Sequence, residues 1–251
     1  MKRNIITLCL FLLFSSGTIF GNETLFQQAN EEYRQKNYDK AIVAYEKILS
    51  TGHESSILYY NLGNAWFKKN DLPRAILFYE KSLKLNPGDA DVQFNLKVAN
   101  SRITDKIDVL PELFYKRWWK EARSFFSVDG WAVVTLLSLL VFFILLTLYL
   151  VMRPLFIRRS AFFASVFVLV LSVISMVFAY QSYHLLTRQQ EAIVFEPAVS
   201  VKSSPDEVST DLFMLHEGTK VRILDNVGDW YRVVIASGSD GWVNSQSLKV
   251  I

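Results

Sequence analysis

Two stretches of this chain carry no charge, and each is long enough to cross a bilayer. Gly130 to Met152 contains no Asp, Glu, Lys or Arg, and neither does Ser160 to Tyr183. A helix needs about 20 consecutive apolar residues to span the hydrocarbon core. A soluble core helix can be as greasy, but two such runs split only by a short basic turn are rare in soluble folds. That turn is Arg153-Pro154-Leu155-Phe156-Ile157-Arg158-Arg159, with no acidic neighbour. Short basic loops stay on the cytoplasmic face. The pattern predicts a transmembrane hairpin, with spans at 130–152 and 160–183, a cytoplasmic turn at 153–159, and everything else hung from the two outer ends.

The N-terminus gives a second topological signal. Met1-Lys2-Arg3 is basic, Ile5 to Phe14 is apolar, and small residues follow at Ser15-Ser16-Gly17 and Gly21. An apolar run of about ten residues suits an export signal and is short for a span. We read residues 1–21 as a signal peptide cut near Gly21, with Gly17 or an uncleaved anchor as alternatives. The next segment is exported in either case, which agrees with the basic turn lying inside. The single cysteine, Cys9, lies in this leader, so its removal leaves no thiol for a disulfide, a metal or a nucleophile. The net charge of +3 is small, and cations cluster in the leader, the turn and the stretch just before the first span. It speaks for membrane chemistry, not nucleic-acid binding.

Residues 22–104 repeat against themselves. Asn30 and Asn64, Ala41 and Ala75, Tyr45 and Tyr79, and Leu49 and Leu83 are each 34 apart. The period and pattern resemble the tetratricopeptide repeat, a helix–turn–helix unit. Leu62-Gly63-Asn64-Ala65-Trp66, Ala75, Tyr79 and Pro87 lie close to that family's consensus. Gly63 and Ala75 are expected where paired helices cross, with Trp66 and Tyr79 filling between neighbours. A terminal helix at 90–103 has no Ala or Tyr answering Ala75 and Tyr79, as a capping helix would. So short a solenoid is expected to need packing against the membrane-proximal helix.

In that family the first helix of each repeat lines a concave groove. The resemblance places Phe26, Asn30, Tyr33, Tyr60, Asn61, Asn64, Phe67, Phe94 and Val98 there. Asn30 and Asn61 match two positions of the variety that clamps a C-terminal carboxylate. Phe26 and Asp91 stand where that clamp needs cations, so carboxylate capture is not expected. Aromatics with amides suit an extended or helical peptide from a partner protein. The aromatics serve equally as packing between repeats; Asn30 and Asn64 read better as contacts, because amides gain little from packing.

Residues 105–129 approach the membrane. Phe114, Trp118, Ala122 and Phe125 fall on one helical face, with Lys116, Arg117, Lys120 and Arg123 on the polar side. A basic, aromatic helix beside a span is expected to lie in the interface plane. Its four cations oppose the assigned orientation under the positive-inside rule; the export signal decides against them. The spans hold no Asp, Glu, Lys, Arg or His, so no proton path or ion site is expected, and their serines are read as close-approach points between helices.

From residue 192 the pattern turns to short alternating segments with Gly and Asp turns, as in a small β-barrel. Leu215-His216-Glu217-Gly218-Thr219, Asp229-Trp230 and Gly241-Trp242-Val243 resemble bacterial SH3-like domains, whose relatives often bind cell-wall peptides. Trp230, Tyr231 and Trp242 are candidates for a ligand face, and both tryptophans serve as well for the core. His216 reads as structural. No nucleotide-binding loop, hydrolase elbow, zinc helix or dinucleotide glycine pattern occurs, and no catalytic group, cofactor or metal is expected.

The order of signal, two repeats, aromatic interfacial helix, hairpin and barrel resembles the BatE-type proteins of the Bacteroides aerotolerance (Bat) group. Asn95-Leu96 and Arg117-Trp118-Trp119 add to the likeness. The resemblance implies a multidomain membrane protein of the bacterial inner membrane: all-α solenoid, two-helix hairpin and all-β barrel, with both folded parts periplasmic. It implies a non-enzymatic scaffold beside von Willebrand A-domain membrane proteins and a MoxR-type ATPase, linked to aerotolerance or stress. No residue here explains such a phenotype. The competing reading is a sensor whose barrel binds a peptidoglycan fragment, disfavoured by the small inner turn. A wall hydrolase would need a catalytic group that the sequence does not reveal.

Overall fold

A computed structural model of the protein describes residues 16–107, 111, 113–188 and 190–251. The basic and apolar segments of the expected signal, residues 1–14, lie outside the described residues. The first helix, α1 (Ser16–Arg34), runs through Gly21. It pairs with α2 (Tyr38–Ser50), as α3 (Ser56–Lys68) pairs with α4 (Leu72–Leu85), and α5 (Ala90–Asn100) closes the set.

Local chemistry fixes these boundaries. Ser55 caps α3 by accepting from the Leu58 amide, and Asp71 caps α4 by accepting from Arg74, with Pro73 in the first turn. Lys36 and Asn70 both take the left-handed backbone, φ 64° and 63°, so one turn is built twice at the repeat spacing. At the α3–α4 crossing a Cβ on Gly63 would lie 2.7 Å from the Tyr79 ring and 3.3 Å from the Ala75 carbonyl. Gly63→Val is therefore expected to force α3 off α4 and cost about 1–3 kcal/mol, read as a lower thermal midpoint of the helical signal.

The two long apolar helices are α7 (Val128–Val151) and α8 (Leu155–Arg188), both long and apolar enough to cross a membrane. Ser165, Ser172 and Ser175 are buried between them, and the Thr135 and Ser175 hydroxyls meet at 2.9 Å. The turn is shorter than the sequence pattern predicts. Pro154 presets the helical φ, and its carbonyl accepts from the Arg158 amide at 3.0 Å. Leu155 thus already belongs to α8, Arg158 and Arg159 sit on its first turns, and only residues 152–154 connect the helices. The amphipathic helix α6 (Phe114–Ser124) and its C-terminal capping residue leave Phe114, Trp118 and Phe125 about two-thirds exposed or more, at 77%, 67% and 75%. Trp119 instead pins α6 to the hairpin: its indole donates to Gln181 at 2.9 Å and its ring meets Phe178 edge-on.

The C-terminal part is a seven-stranded antiparallel sheet in the order β3-β2-β6-β5-β4-β1-β7. Its strands are β1 (Glu191–Val194), β2 (Ala198–Lys202), β3 (Asp211–His216), β4 (Lys220–Val227), β5 (Trp230–Val234), β6 (Asp240–Asn244) and β7 (Leu248–Val250). The sheet curls around Ala192, Val194, Val201, Leu215, Val221, Val233, Val243 and Leu248. A Cβ on Gly241 would stand 2.5 Å from Val201 and 2.8 Å from the Lys202 carbonyl, so glycine lets β6 close on β2.

The barrel docks on the helices. Ile193 of β1 is fully buried in the cluster of Ala75, Ile76, Leu77, Tyr79, Val92 and Ala99, with Phe195 and Ile251 at its edge. The extra packing expected from the membrane-proximal helix comes chiefly from here; α6 touches the repeats near Gly88, where a Cβ would lie 2.8 Å from the Ser124 carbonyl. Polar groups complete the seam. Asp105, just past α5, accepts from the His216 amide at 2.8 Å and the Thr219 hydroxyl at 2.7 Å, and its other oxygen meets His216 Nδ1 at 2.7 Å. Burial works to raise the Asp105 pKa, but these hydrogen bonds outweigh it and hold the carboxyl below its ordinary value. Lys220 bridges Glu80 of α4 at 2.9 Å and Glu191 of β1 at 2.7 Å. Burial opposes its charge, yet the two carboxylates raise its pKa above that of an ordinary lysine.

Candidate functional site

The first helices of the repeats, α1, α3 and α5, each bring asparagines to the concave face, and the structure links them in a ladder. Asn30 Oδ1 accepts from the Tyr45 hydroxyl at 2.7 Å and from Asn61 Nδ2 at 3.0 Å. One repeat on, Asn64 Oδ1 accepts from the Tyr79 hydroxyl at 2.7 Å and from Asn95 Nδ2 at 2.8 Å. Tyr45 and Tyr79 are 1% exposed, so the ladder satisfies hydroxyls that would otherwise be buried without partners. The asparagines therefore do structural work that spacing alone hides: they join each second helix to the next repeat.

The ladder also leaves a pattern of free capacity. Asn30 and Asn64 use their carbonyl oxygens in it and keep amide donors, while Asn61 and Asn95 use donors and keep carbonyl acceptors. Alternating donors and acceptors match the edge of an extended peptide backbone. Asn30, Tyr33, Asn61 and Asn64 line one recess of about 180 Å³ together with Gln27 and Arg34. That volume takes a side chain or a short stretch of main chain, not a folded surface.

The other predicted groove residues divide. Phe94 stands 66% exposed on α5 and offers an apolar anchor. Tyr60 is half-buried, its ring 6.2 Å from Tyr79 and its hydroxyl accepting from Asn95. Phe67 packs on the second helical cluster beneath the Arg102 guanidinium, 4.6 Å from its ring centre. Val98 is half-buried. Phe26 borders a different recess of about 600 Å³ with Ile48, His53, Ile57 and Leu58. Gln27, Arg34 and Arg102 carry no groove signal in the sequence, and Asn95 enters there only in the likeness to the Bat group. Asn95 had a signal: it lies 34 beyond Asn61, as Asn64 lies 34 beyond Asn30.

On the barrel, strand alternation separates the three candidate aromatics. Tyr231 pairs with buried Val243 and packs on the core, so it faces inward. Trp230 and Trp242 fall on the opposite face, each half-buried, with Trp242 across from Arg232 and beside Lys202. Trp230 and Trp242 thus share one face of the barrel, and the Tyr231 ring does not belong to it. His216 is turned to the seam with the helices, on Asp105. Among the described residues no group of three His, Cys, Asp or Glu is placed to hold a metal.

Comparison with known proteins agrees with both parts. Residues 56–89, covering α3 and α4, match the tetratricopeptide repeat family, and residues 197–249 match the bacterial SH3 domain family. Among curated proteins, none matches the chain. Both families are typically non-catalytic interaction modules, here carried on one chain with two helices able to span a membrane.

Proposed function

We propose that this protein is a non-enzymatic scaffold of the bacterial cell envelope, whose repeat groove holds a segment of a partner protein outside the cytoplasmic membrane. The observation that carries the reading is the asparagine recess, with amide donors and acceptors left over from the ladder; Phe94, exposed on α5, adds an apolar ring. The likeness in domain order to the Bat group favours partners from a complex of von Willebrand A-domain membrane proteins and a MoxR-type ATPase. In that reading aerotolerance or stress resistance follows from assembly, not from redox chemistry of this chain. The sensor reading rests on Trp230 and Trp242 sharing one face. A connection of residues 152–154 leaves it almost no cytoplasmic surface for relaying a signal.

A photocrosslinking residue at Phe94 tests this in intact membranes. Capture of an envelope protein, lost when Gln27 of the recess, which lies outside the ladder, is replaced by leucine, supports the scaffold. Absence of any groove-dependent crosslink, together with saturable binding of peptidoglycan fragments that fails in Trp242→Ala, favours the sensor.

A further inference from the structure

Taken singly, Arg34, Lys68 and Arg102 carry no groove signal, but together they stand 34 apart, the spacing of the repeats. Arg34 ends α1, Lys68 ends α3, and Arg102 lies just past α5, its amide donating to the Ala99 carbonyl at 2.9 Å. Those first helices stand side by side, since Asn61 donates to Asn30 and Asn95 to Asn64. The three cations therefore form one rim, along the edge of the groove where the first helices end. Cations in a last turn serve the helix dipole in any fold, so their position alone assigns no partner.

Counter-charge and order set this rim apart. Arg34 is satisfied by Glu31, one turn back. Asp39 goes to Lys69, next to Lys68, and Asp105, three residues past Arg102, goes to His216 and Thr219. Lys68 and Arg102 form no ion pair among the described residues. Arg102 is also held in place: its guanidinium lies over the Phe67 ring, 4.6 Å from the ring centre. An aromatic face holds a guanidinium by its plane and leaves the N–H donors open at its edge. Asn64 and Phe67 are three apart on α3 and share a face, so Arg102 overlooks the same groove as the asparagine ladder.

The free amide groups of the ladder suit a main chain and do not choose among side chains; the rim does. We propose that the groove selects an acidic segment of its partner, Arg102 and Lys68 each receiving a side-chain carboxylate. This rests on the groove holding a partner segment and adds the charge of that segment. Packed helices lie about 8–10 Å apart, and an extended chain advances about 3.3 Å per residue, so carboxylates about three residues apart reach both cations. The clamp for a C-terminal carboxylate is not rebuilt here, because Phe26 and Asp91 hold its cation positions and the rim lies at others. The carboxylates read by the rim belong to side chains within a segment.

The test pans the full chain in neutral detergent against random linear peptides displayed on phage, fused at their C-termini so that no free carboxylate end is offered. Groove-dependent binders are those lost in Gln27→Leu, and they are expected to be enriched in Asp and Glu. As synthetic peptides with amidated C-termini, they should bind Lys68→Gln with Arg102→Gln about tenfold more weakly than the wild type, with a flatter dependence on salt. Lys40→Gln with Lys47→Gln, the same charge change at exposed positions of α2, should leave binding unchanged. Arg102→Glu should move the enrichment to Lys and Arg. Gln27, Lys68 and Arg102 are all exposed, so these variants keep the fold. Groove-dependent binders without acidic enrichment, or equal losses in both double variants, overturn the proposal and leave the groove reading standing. Absence of any groove-dependent binder removes the groove reading, and the acidic preference with it.

Discussion

Replacing Gly218 by valine is expected to detach the barrel from the repeats while leaving each folded. Gly218 holds φ +85°, a backbone region costly to a β-branched residue, and a Cβ there would stand 2.6 Å from Ile103 and 3.3 Å from Ile76. Backbone strain and overpacking each amount to about 1–3 kcal/mol; the strain falls on the β3–β4 turn whether docked or not, so the seam itself loses about 1–3 kcal/mol from overpacking. The readout is hydrogen–deuterium exchange: amides of 191–195 and 213–219 should exchange faster, while those of 240–244, inside the barrel, stay protected. Loss of protection throughout the barrel would mean that the glycine serves the barrel's own fold and not the docking.

Asp105→Ala attacks the same seam through its polar half. It removes the acceptor for the His216 amide and for the hydroxyl of Thr219, which is 2% exposed. Hydrogen bonds to a charged group contribute about 1.5–3 kcal/mol each and do not add fully, so a loss of about 3–4 kcal/mol in docking is expected. The effect has a definite pH signature. Burial works to raise the folded pKa of Asp105, but the hydrogen bonds it accepts hold it below the ordinary aspartate value. Its contribution is therefore fully present above the unfolded value and is lost as pH falls through the folded one. Wild-type exchange at the seam should accelerate in acid below about pH 4, and the Asp105→Ala protein should lack that step. An acid step of unchanged size in the variant would assign it to another group.

Much of the fold is legible in the sequence for reasons the structure makes plain. The uncharged runs reveal the two long helices because each is long and apolar enough to cross a bilayer. The repeat is readable because Gly63, Ala75 and Tyr79 have no freedom to vary in size at a helix crossing. The docking is not readable, and β1 shows why. Ala192 and Val194 face the barrel core while Ile193 faces the helices, so all three are buried and the two-residue alternation that marks a strand disappears. Strand β3 is hidden differently: Leu212 and Met214 are apolar yet exposed, again erasing the alternation. Asp105 and Lys220 look like ordinary surface charges until the fold brings His216 and Glu80 to them. Within the groove, spacing found Asn30 and Asn64 but gave no hint that their carbonyls are held by Tyr45 and Tyr79.

The seam has a topological consequence. Asp105 precedes the hairpin and His216 follows it, and they bond directly, so the chain between them must return to the side it left. Labelling with a membrane-impermeant maleimide tests this most directly, in a Cys9→Ser background with single cysteines at Lys97 in the repeats, Ser239 in the barrel and Arg153 in the turn. Cells with a permeabilised outer membrane should label Lys97→Cys and Ser239→Cys, and label Arg153→Cys only after lysis. Labelling of Lys97→Cys and Ser239→Cys from opposite sides would contradict the docked hairpin, and labelling of Arg153→Cys alone in unlysed cells would invert it.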